Sequence, residues 1–175
     1  MQQLDPKAVL MFFIQNLLIF GLPIIIIIFS FLGDEGAVLL EELEISPVLW
    51  WGGLLSLGVL VIILLWVIAK LTYHFVRYEL REEGFRKEHG IIWKTYVTIP
   101  YNRIQNVDIH RGIIARLLGL SDLEIQTAGA SAVVRRRGVW GVGAEGTLPG
   151  LSREVAEKLR DELVHRARKG AGQGL

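Results

Sequence analysis

Two long stretches without charged side chains dominate the hydrophobic pattern of this chain. Residues 8–33 and 45–69 contain no Asp, Glu, Lys or Arg. A bilayer core about 30 Å thick needs about 20 apolar residues of helix, and both stretches are longer than that. The first is also too long for the apolar core of a cleaved signal peptide, typically about 7–15 residues. The pattern predicts two transmembrane helices, at about 8–32 and 46–69, within a membrane region covering 1–70.

Beyond the second stretch the pattern changes to alternation of apolar and polar residues, which is typical of half-buried strands. Strands are predicted at 73–80, 85–89, 94–99, 103–110, 123–127, 132–137 and 145–148, with a short helical turn at Ile113–Leu118. Six or seven strands at such short, regular spacing indicate a sandwich or barrel.

The last part of the chain has a helical pattern. Ser152 is a good N-cap, and Val155, Leu159 and Leu163 recur every four residues in a charged segment reaching about Lys169. One apolar stripe of this kind predicts a helix that plugs an open end of the sheet structure. A helix lying on the membrane is the alternative, but the stripe is narrow and lacks Trp and Phe. The domain is therefore predicted at 71–168, with a flexible tail at 169–175.

Charge predicts the orientation of these parts. The loop at 33–44 carries five acidic residues and no Lys or Arg, whereas residues 70–175 carry 18 Lys and Arg against 12 Asp and Glu, a net charge of +6. Because basic residues near span ends stay in the cytosol, both termini and the domain are expected to be cytosolic and the acidic loop extracytoplasmic. We expect a multi-pass protein of the cell (inner) membrane.

Several motifs in order carry a family resemblance. Residues 98–107, TIPYNRIQNV, are similar to the IPxxRIQxV signature of the bacterial membrane-flanked PH-like proteins, the YdbS-like family. Residues 117–120 resemble that family's RLLGL stretch, 124–129 its VxVxTAG strand, and 148–151 the lead-in to its last helix. The resemblance implies a two-helix transmembrane hairpin followed by a PH-like bent β-sandwich or barrel of about seven antiparallel strands, capped by a C-terminal α-helix. It implies no assigned catalytic activity and no established ligand.

The residues that could carry chemistry do not form a recognisable site. Absence of cysteine excludes disulfides and thiolate catalysis. His74, His89, His110 and His165 do not pair at metal-ligand spacing. Asp108 and His110 share a strand face, as a base and its orienting carboxylate would, but no nucleophile is placed to join them. An exposed polar strand face explains them more simply. We expect a protein that is not an enzyme and has no cofactor or metal.

Basic residues remain as candidates for binding anionic lipid headgroups, which attract each nearby Lys or Arg by about 1 kcal/mol. The candidates are Lys70, Arg77, Arg81, Arg135, Arg136 and Arg137, together with Trp140 in the glycine-rich loop at 138–146. The alternative is a solvated strand face plus the ordinary positive-inside excess, and for Trp140 a side chain folded back on the domain. Nucleic acid is not an expected partner, because the net charge is modest and bases would need exposed aromatic platforms.

Polar and small residues within the spans are candidates for contacts between helices. Gln15 and Asn16 lie in the first span, and Gly52 and Ser56 have a small-xxx-small spacing in the second. Simple packing of the hairpin is the alternative. We therefore predict a non-catalytic, membrane-anchored PH-like module that binds a protein partner, a second copy of itself or anionic headgroups. An accessory or scaffolding subunit of a larger membrane complex, for envelope stress or export, is the alternative function.

Overall fold

The computed structural model describes residues 1–31, 46–127 and 146–171, and the chain divides into two compact units. One unit consists of Met1–Met11 together with Leu71–Leu175, and the other is Phe12–Lys70. The predicted acidic loop, the predicted strand at 132–137 and the loop at 138–146 lie outside the described residues, apart from Gly146.

Two helical segments have the length and composition needed to cross a membrane, Ala8–Ile27 and Val48–Phe75. The first comprises α1 (Ala8–Asn16), a π-helical turn (Leu17–Gly21) and α2 (Leu22–Phe31), and the second is α3 (Pro47–Phe75). The predicted strand at 73–80 was therefore wrong over its first four residues, since the helix ends at Phe75 and the strand begins at Arg77. Leu71, Tyr73 and Phe75 fit period two, but the helix continues from the apolar stretch to Phe75.

The π-helical turn lies directly before Pro23. The N–H of Leu22 donates to the carbonyl of Leu17, five residues earlier. Proline has no N–H, and its ring clashes with the carbonyl four residues earlier, so the preceding turn must widen. Within the same unit, Gly21 is buried, and a Cβ added there would lie 3.8 Å from Leu65 Cδ1. The first helix thus meets α3 at a residue without a side chain.

Seven described strands form two antiparallel sheets, as the PH-like prediction requires. The first sheet has the order β1 (Gln2–Gln3), β2 (Arg77–Leu80), β3 (Gly84–His89) and β4 (Thr95–Pro100), and the second has β5 (Ile104–His110), β6 (Leu120–Thr127) and β7 (Thr147–Ser152). The short helix α4 (Ile113–Leu118) joins β5 to β6, as expected. Strand β1 was not predicted, because two polar residues have no detectable periodicity.

The C-terminal helix α5 (Arg153–Ala171) covers the second sheet. Ser152 Oγ accepts the N–H of Val155 at 3.4 Å, so the predicted N-cap forms. The helix packs on β5, β6, β7 and the 3₁₀ turn Tyr101–Arg103, and it buries Leu159 and Leu163. Leu159 and Leu163 are therefore not available for the membrane surface, whereas Val155, the first residue of the predicted stripe, is 39% exposed.

The first eleven residues belong to the PH-like domain. Leu4, Ala8 and Met11 are buried there, and the N–H of Asp5 donates to the carbonyl of Gly150 at 3.2 Å. Gly150 has φ +70°, and a Cβ there would lie 2.6 Å from Ala8 Cβ. The glycine therefore permits both the turn before the last helix and the close approach of the N-terminal segment.

Candidate functional site

The loop Gly90–Lys94, between β3 and β4, exposes large apolar side chains. Ile92 is 80% exposed and Trp93 is 82% exposed. Gly90 has φ +111°, and a Cβ there would lie 1.9 Å from the carbonyl oxygen of Trp93, so only glycine fits this turn. Hairpin turns usually carry polar residues that suit their backbone geometry. Two exposed apolar side chains at this turn therefore need a separate explanation.

A cleft of about 280 Å³ lies at the base of this loop. It is lined by His74, Phe75, Arg77, Glu88, His89, Gly90, Lys94 and Tyr96. The Nζ of Lys94 lies 5.9 Å from the centre of the Phe75 ring, a cation–π contact. Glu88 forms an ion pair with Arg86 at 3.2 Å, whereas Arg77 forms no ion pair with any described residue. The cleft therefore presents positive charge from Arg77 and Lys94.

His89 contributes no charge to the cleft at neutral pH. Burial and the nearby positive charge of Lys87 lower the pKa of His89 to about 4. Its buried Nδ1 has no hydrogen-bond partner among the described residues. The imidazole is therefore a neutral wall of the cleft, and the cations that line the cleft are Arg77 and Lys94.

This depressed pKa predicts loss of domain stability in mild acid. The unfolded histidine, with a pKa of about 6.5, binds a proton below that pH, while the folded one resists protonation until about pH 4. Between pH 6.5 and 5 the native chain should lose of the order of 1 kcal/mol through His89, allowing for its half-exposed ring. Native-state hydrogen exchange of the full chain in lipid nanodiscs measures this. The His89→Leu variant is the control and should lose less stability over the same interval; an equal loss would contradict the assignment.

Arg77 and Arg81, the predicted headgroup residues that the structure describes within the domain, lie apart. Arg77 lines the cleft, whereas Arg81 lies beyond the other end of β2, where its Nε contacts Glu79 Oε2 at 3.0 Å. Lys70 is exposed on α3 and belongs to the other unit. The remaining candidates, Arg135, Arg136, Arg137 and Trp140, lie outside the described residues. Of the described members of this set, Arg77 lines the cleft.

The predicted intramembrane residues are similarly dispersed. Gln15 and Asn16 are half-buried at the end of α1. A Cβ at Gly52 would meet nothing within 4 Å, and Ser56 Oγ donates to the carbonyl of Gly53 at 2.7 Å. Close contact between the described helices occurs elsewhere, at Gly21 and at the edge-to-face pair of Phe13 and Trp66, whose ring centres are 5.2 Å apart. The face with Gly52 thus meets no other part of the chain that the structure describes.

Asp108 and His110 do not act as a pair. The carboxylate of Asp108 accepts the amide N–H groups of Asn106 and Gln126 at 2.9–3.0 Å. His110 Nε2 lies 3.1 Å from Glu124 Oε2, and its side chain is 60% exposed. Each group is held by its own cross-strand or same-strand neighbour. The geometry is that of a polar strand face.

A second apolar surface lies on α4. Ile113 is 79% exposed and Leu117 is 82% exposed, four residues apart and therefore on the same side of the helix. Ala115 between them is buried against the domain. Sequence reasoning located this helix and missed its exposed face, as it missed Ile92 and Trp93. The available signal for the loop was an apolar triplet, 91–93, at a turn between two strands.

The chain shares its sequence pattern with known membrane proteins. Residues 13–167 match the model of the bacterial PH domain family. The chain is 26% identical over 168 residues to the transmembrane protein YdbS of Bacillus subtilis (strain 168), covering 95% of this chain and 92% of that relative. It is 31% identical over 113 residues to the transmembrane protein YdbT of the same organism, covering 63% of this chain and 20% of YdbT. No solved structure matches the chain.

The family match covers most of the chain, from within the first apolar helix, through the second and the strands that follow, into the C-terminal helix. It agrees with the two antiparallel sheets and the C-terminal helix. The two apolar helices and the transmembrane relatives together make this a membrane protein. The chain belongs to the bacterial PH domain family.

Proposed function

We propose that this chain is a non-catalytic membrane-anchored module whose PH-like domain binds a protein partner at the cytosolic face of the membrane, with anionic headgroups orienting the domain. The observation that carries the proposal is the pair Ile113 and Leu117, about four-fifths exposed on α4. Exposed large apolar groups that share one side of a helix are favourable to bury against another protein. Arg116 beside them is exposed and supplies a polar edge.

Membrane anchoring favours protein binding as the main role. The two apolar helices already hold the chain in the membrane, so affinity for headgroups adds orientation rather than recruitment. The excess of basic residues beyond position 70 supports a cytosolic domain. Asp108 and His110 contact separate side chains, which supports a role without catalysis.

Site-specific photocrosslinking in native membranes tests the proposal. A photoreactive residue at Leu117 should give a discrete adduct, whereas one at Glu157, exposed on α5, should not. An adduct of twice the chain mass would make the partner a second copy. Ile113→Asp should abolish the adduct while changing the stability by no more than about 0.5 kcal/mol, because the site is exposed. Absence of any adduct at Leu117 would overturn the proposal.

A second function, as an accessory or scaffolding subunit of a larger membrane complex, is favoured by the open face at Gly52. Small residues let transmembrane helices approach closely, and Gly52 meets no other described residue. Gly52→Leu should then shift the chain from a large complex to its own mass in native gel electrophoresis. Gly58→Leu is the matched control, since Gly58 is also open. A chain that migrates alone before any substitution would count against this function.

A further inference from the structure

The exposed loop and the positive cleft lie at the end of the second apolar helix. His74 and Phe75, the last residues of α3, line the same cleft as Gly90 and Lys94 of the loop. The apolar segment Val48–Phe75 has 28 residues. At about 1.5 Å per residue it measures about 42 Å, roughly 12 Å more than a hydrocarbon core. Lys70 ends the uncharged stretch five residues before Phe75, so the last turn lies at the depth of the lipid headgroups, and His74 and Phe75 of that turn line the cleft.

Residue types in the loop match that depth. Tryptophan is enriched at the boundary between headgroups and acyl chains, where its ring is buried and its N–H stays hydrated. Ile92, beside it, is as exposed as Trp93 and has no polar atom in its side chain. Lys94 follows directly, with its Nζ 5.9 Å from the centre of the Phe75 ring, and it lines the cleft. Apolar side chains at the tip of a loop, with basic residues where the loop joins its strands, are typical of a surface that meets an anionic bilayer.

We propose that Ile92 and Trp93 insert into the interface of the bilayer that α3 leaves, and that Arg77 and Lys94 bind the phosphate of an anionic phospholipid in the cleft beneath them. The inference rests on the headgroup half of the proposed function and names its site. It is independent of the partner surface on α4. The repulsion between Glu88 and the phosphate is reduced, because Arg86 forms an ion pair with Glu88 at 3.2 Å.

Fluorescence of the full chain in vesicles tests the insertion. In a chain whose other four tryptophans are replaced by phenylalanine, Trp93 should show blue-shifted emission, and lipids brominated near the headgroup should quench it in phosphatidylglycerol-containing vesicles. The matched control carries Trp93→Phe and Leu117→Trp, which places the reporter at a site of equal exposure, 82%. That reporter should respond to a water-soluble quencher instead. Equal response of both reporters to the soluble quencher would overturn the proposal.

The phosphate site is tested by changing lipid and protein charge. Trp93 should be quenched more strongly with phosphatidylglycerol than with phosphatidylcholine alone, and Arg77→Gln with Lys94→Gln should remove that difference. Each cation near an anionic surface is expected to favour insertion about fivefold. Arg81→Gln, at the other end of β2, should leave the difference intact. Equal loss with Arg81→Gln would overturn the site.

The two proposals fail separately. Shielding of Trp93 in native membranes but not in vesicles of pure lipid would overturn lipid insertion and identify the loop as a protein contact. Loss of the Leu117 adduct with unchanged Trp93 quenching would overturn the proposed partner surface and leave the loop proposal standing.

Discussion

Replacing Lys87 by glutamate is expected to unfold the PH-like domain or to lower its free energy of unfolding by about 3–5 kcal/mol. Lys87 lies on β3 with no exposed surface, and its Nζ donates to the carbonyl of Thr147 on β7. The contact joins the two sheets. A buried carboxylate at this position could not donate to that carbonyl, because both groups are hydrogen-bond acceptors. Hydrogen exchange of the full chain in nanodiscs gives the loss in β3 and β7.

Lys87→Met separates the effect of the charge from that of the side-chain shape, because methionine, like lysine, is unbranched but carries no charge. It should cost less than Lys87→Glu, and it should remove a pH effect. Burial lowers the pKa of Lys87 to about 8. The unfolded lysine, with a pKa of about 10.4, binds more protons between those values, so the native chain should gain stability as pH rises from about 8 to 10. The methionine variant should not. A rise of equal size in both chains would contradict the assignment.

Gly150→Ala is expected to destabilise the domain by about 2–4 kcal/mol, combining backbone strain with overpacking. Its φ of +70° disfavours any side chain, and the new methyl group would lie 2.6 Å from Ala8 Cβ. Protection from hydrogen exchange should fall in β1 and in the segment around Asp5, since the N–H of Asp5 donates to the carbonyl of Gly150.

Gly119 provides a matched control for the strain. Its φ is +73°, but a Cβ there would meet nothing within 4 Å. Gly119→Ala should therefore cost only the conformational part, about 1–2 kcal/mol. Ala8→Gly combined with Gly150→Ala should recover part of the excess, because it removes the atom that the methyl group meets. No difference between the two glycine variants would show that the N-terminal segment does not pack against Gly150.

The domain was predictable from sequence where the periodic pattern was long. Strand β3 and helix α4 were located nearly to the residue, and Ser152 was identified as the cap of α5. The end of α3 was missed because the alternation of Tyr73 and Phe75 with polar residues is compatible with a strand and also with the last turn of an apolar helix. The motif of residues 98–107 carried more information than composition did. It fixed the PH-like fold by resemblance before any contact was known.

Long-range features were not predictable. Strand β1 is two glutamines, and their pairing with β2 depends on residues more than 70 positions later. Burial of Lys87 likewise depends on β7. Alternation in β3 puts Lys87 on the inner face of the strand, but it does not predict that its Nζ donates to the carbonyl of Thr147. The sequence predicted that Arg77 and Arg81 follow the membrane segment closely, but it did not show that the length of β2 separates them, one at each end. Exposure of Trp93 follows from a turn that only Gly90 permits.

Docking of Met1–Met11 on the domain has a consequence for topology. Residues on both sides of the segment Phe12–Lys70 fold into one body, and a single folded body cannot lie on two sides of a bilayer. We therefore expect the intervening segment to cross the membrane an even number of times, whichever compartment the domain occupies. This parity follows from strand pairing and buried side chains, and it needs no count of basic residues.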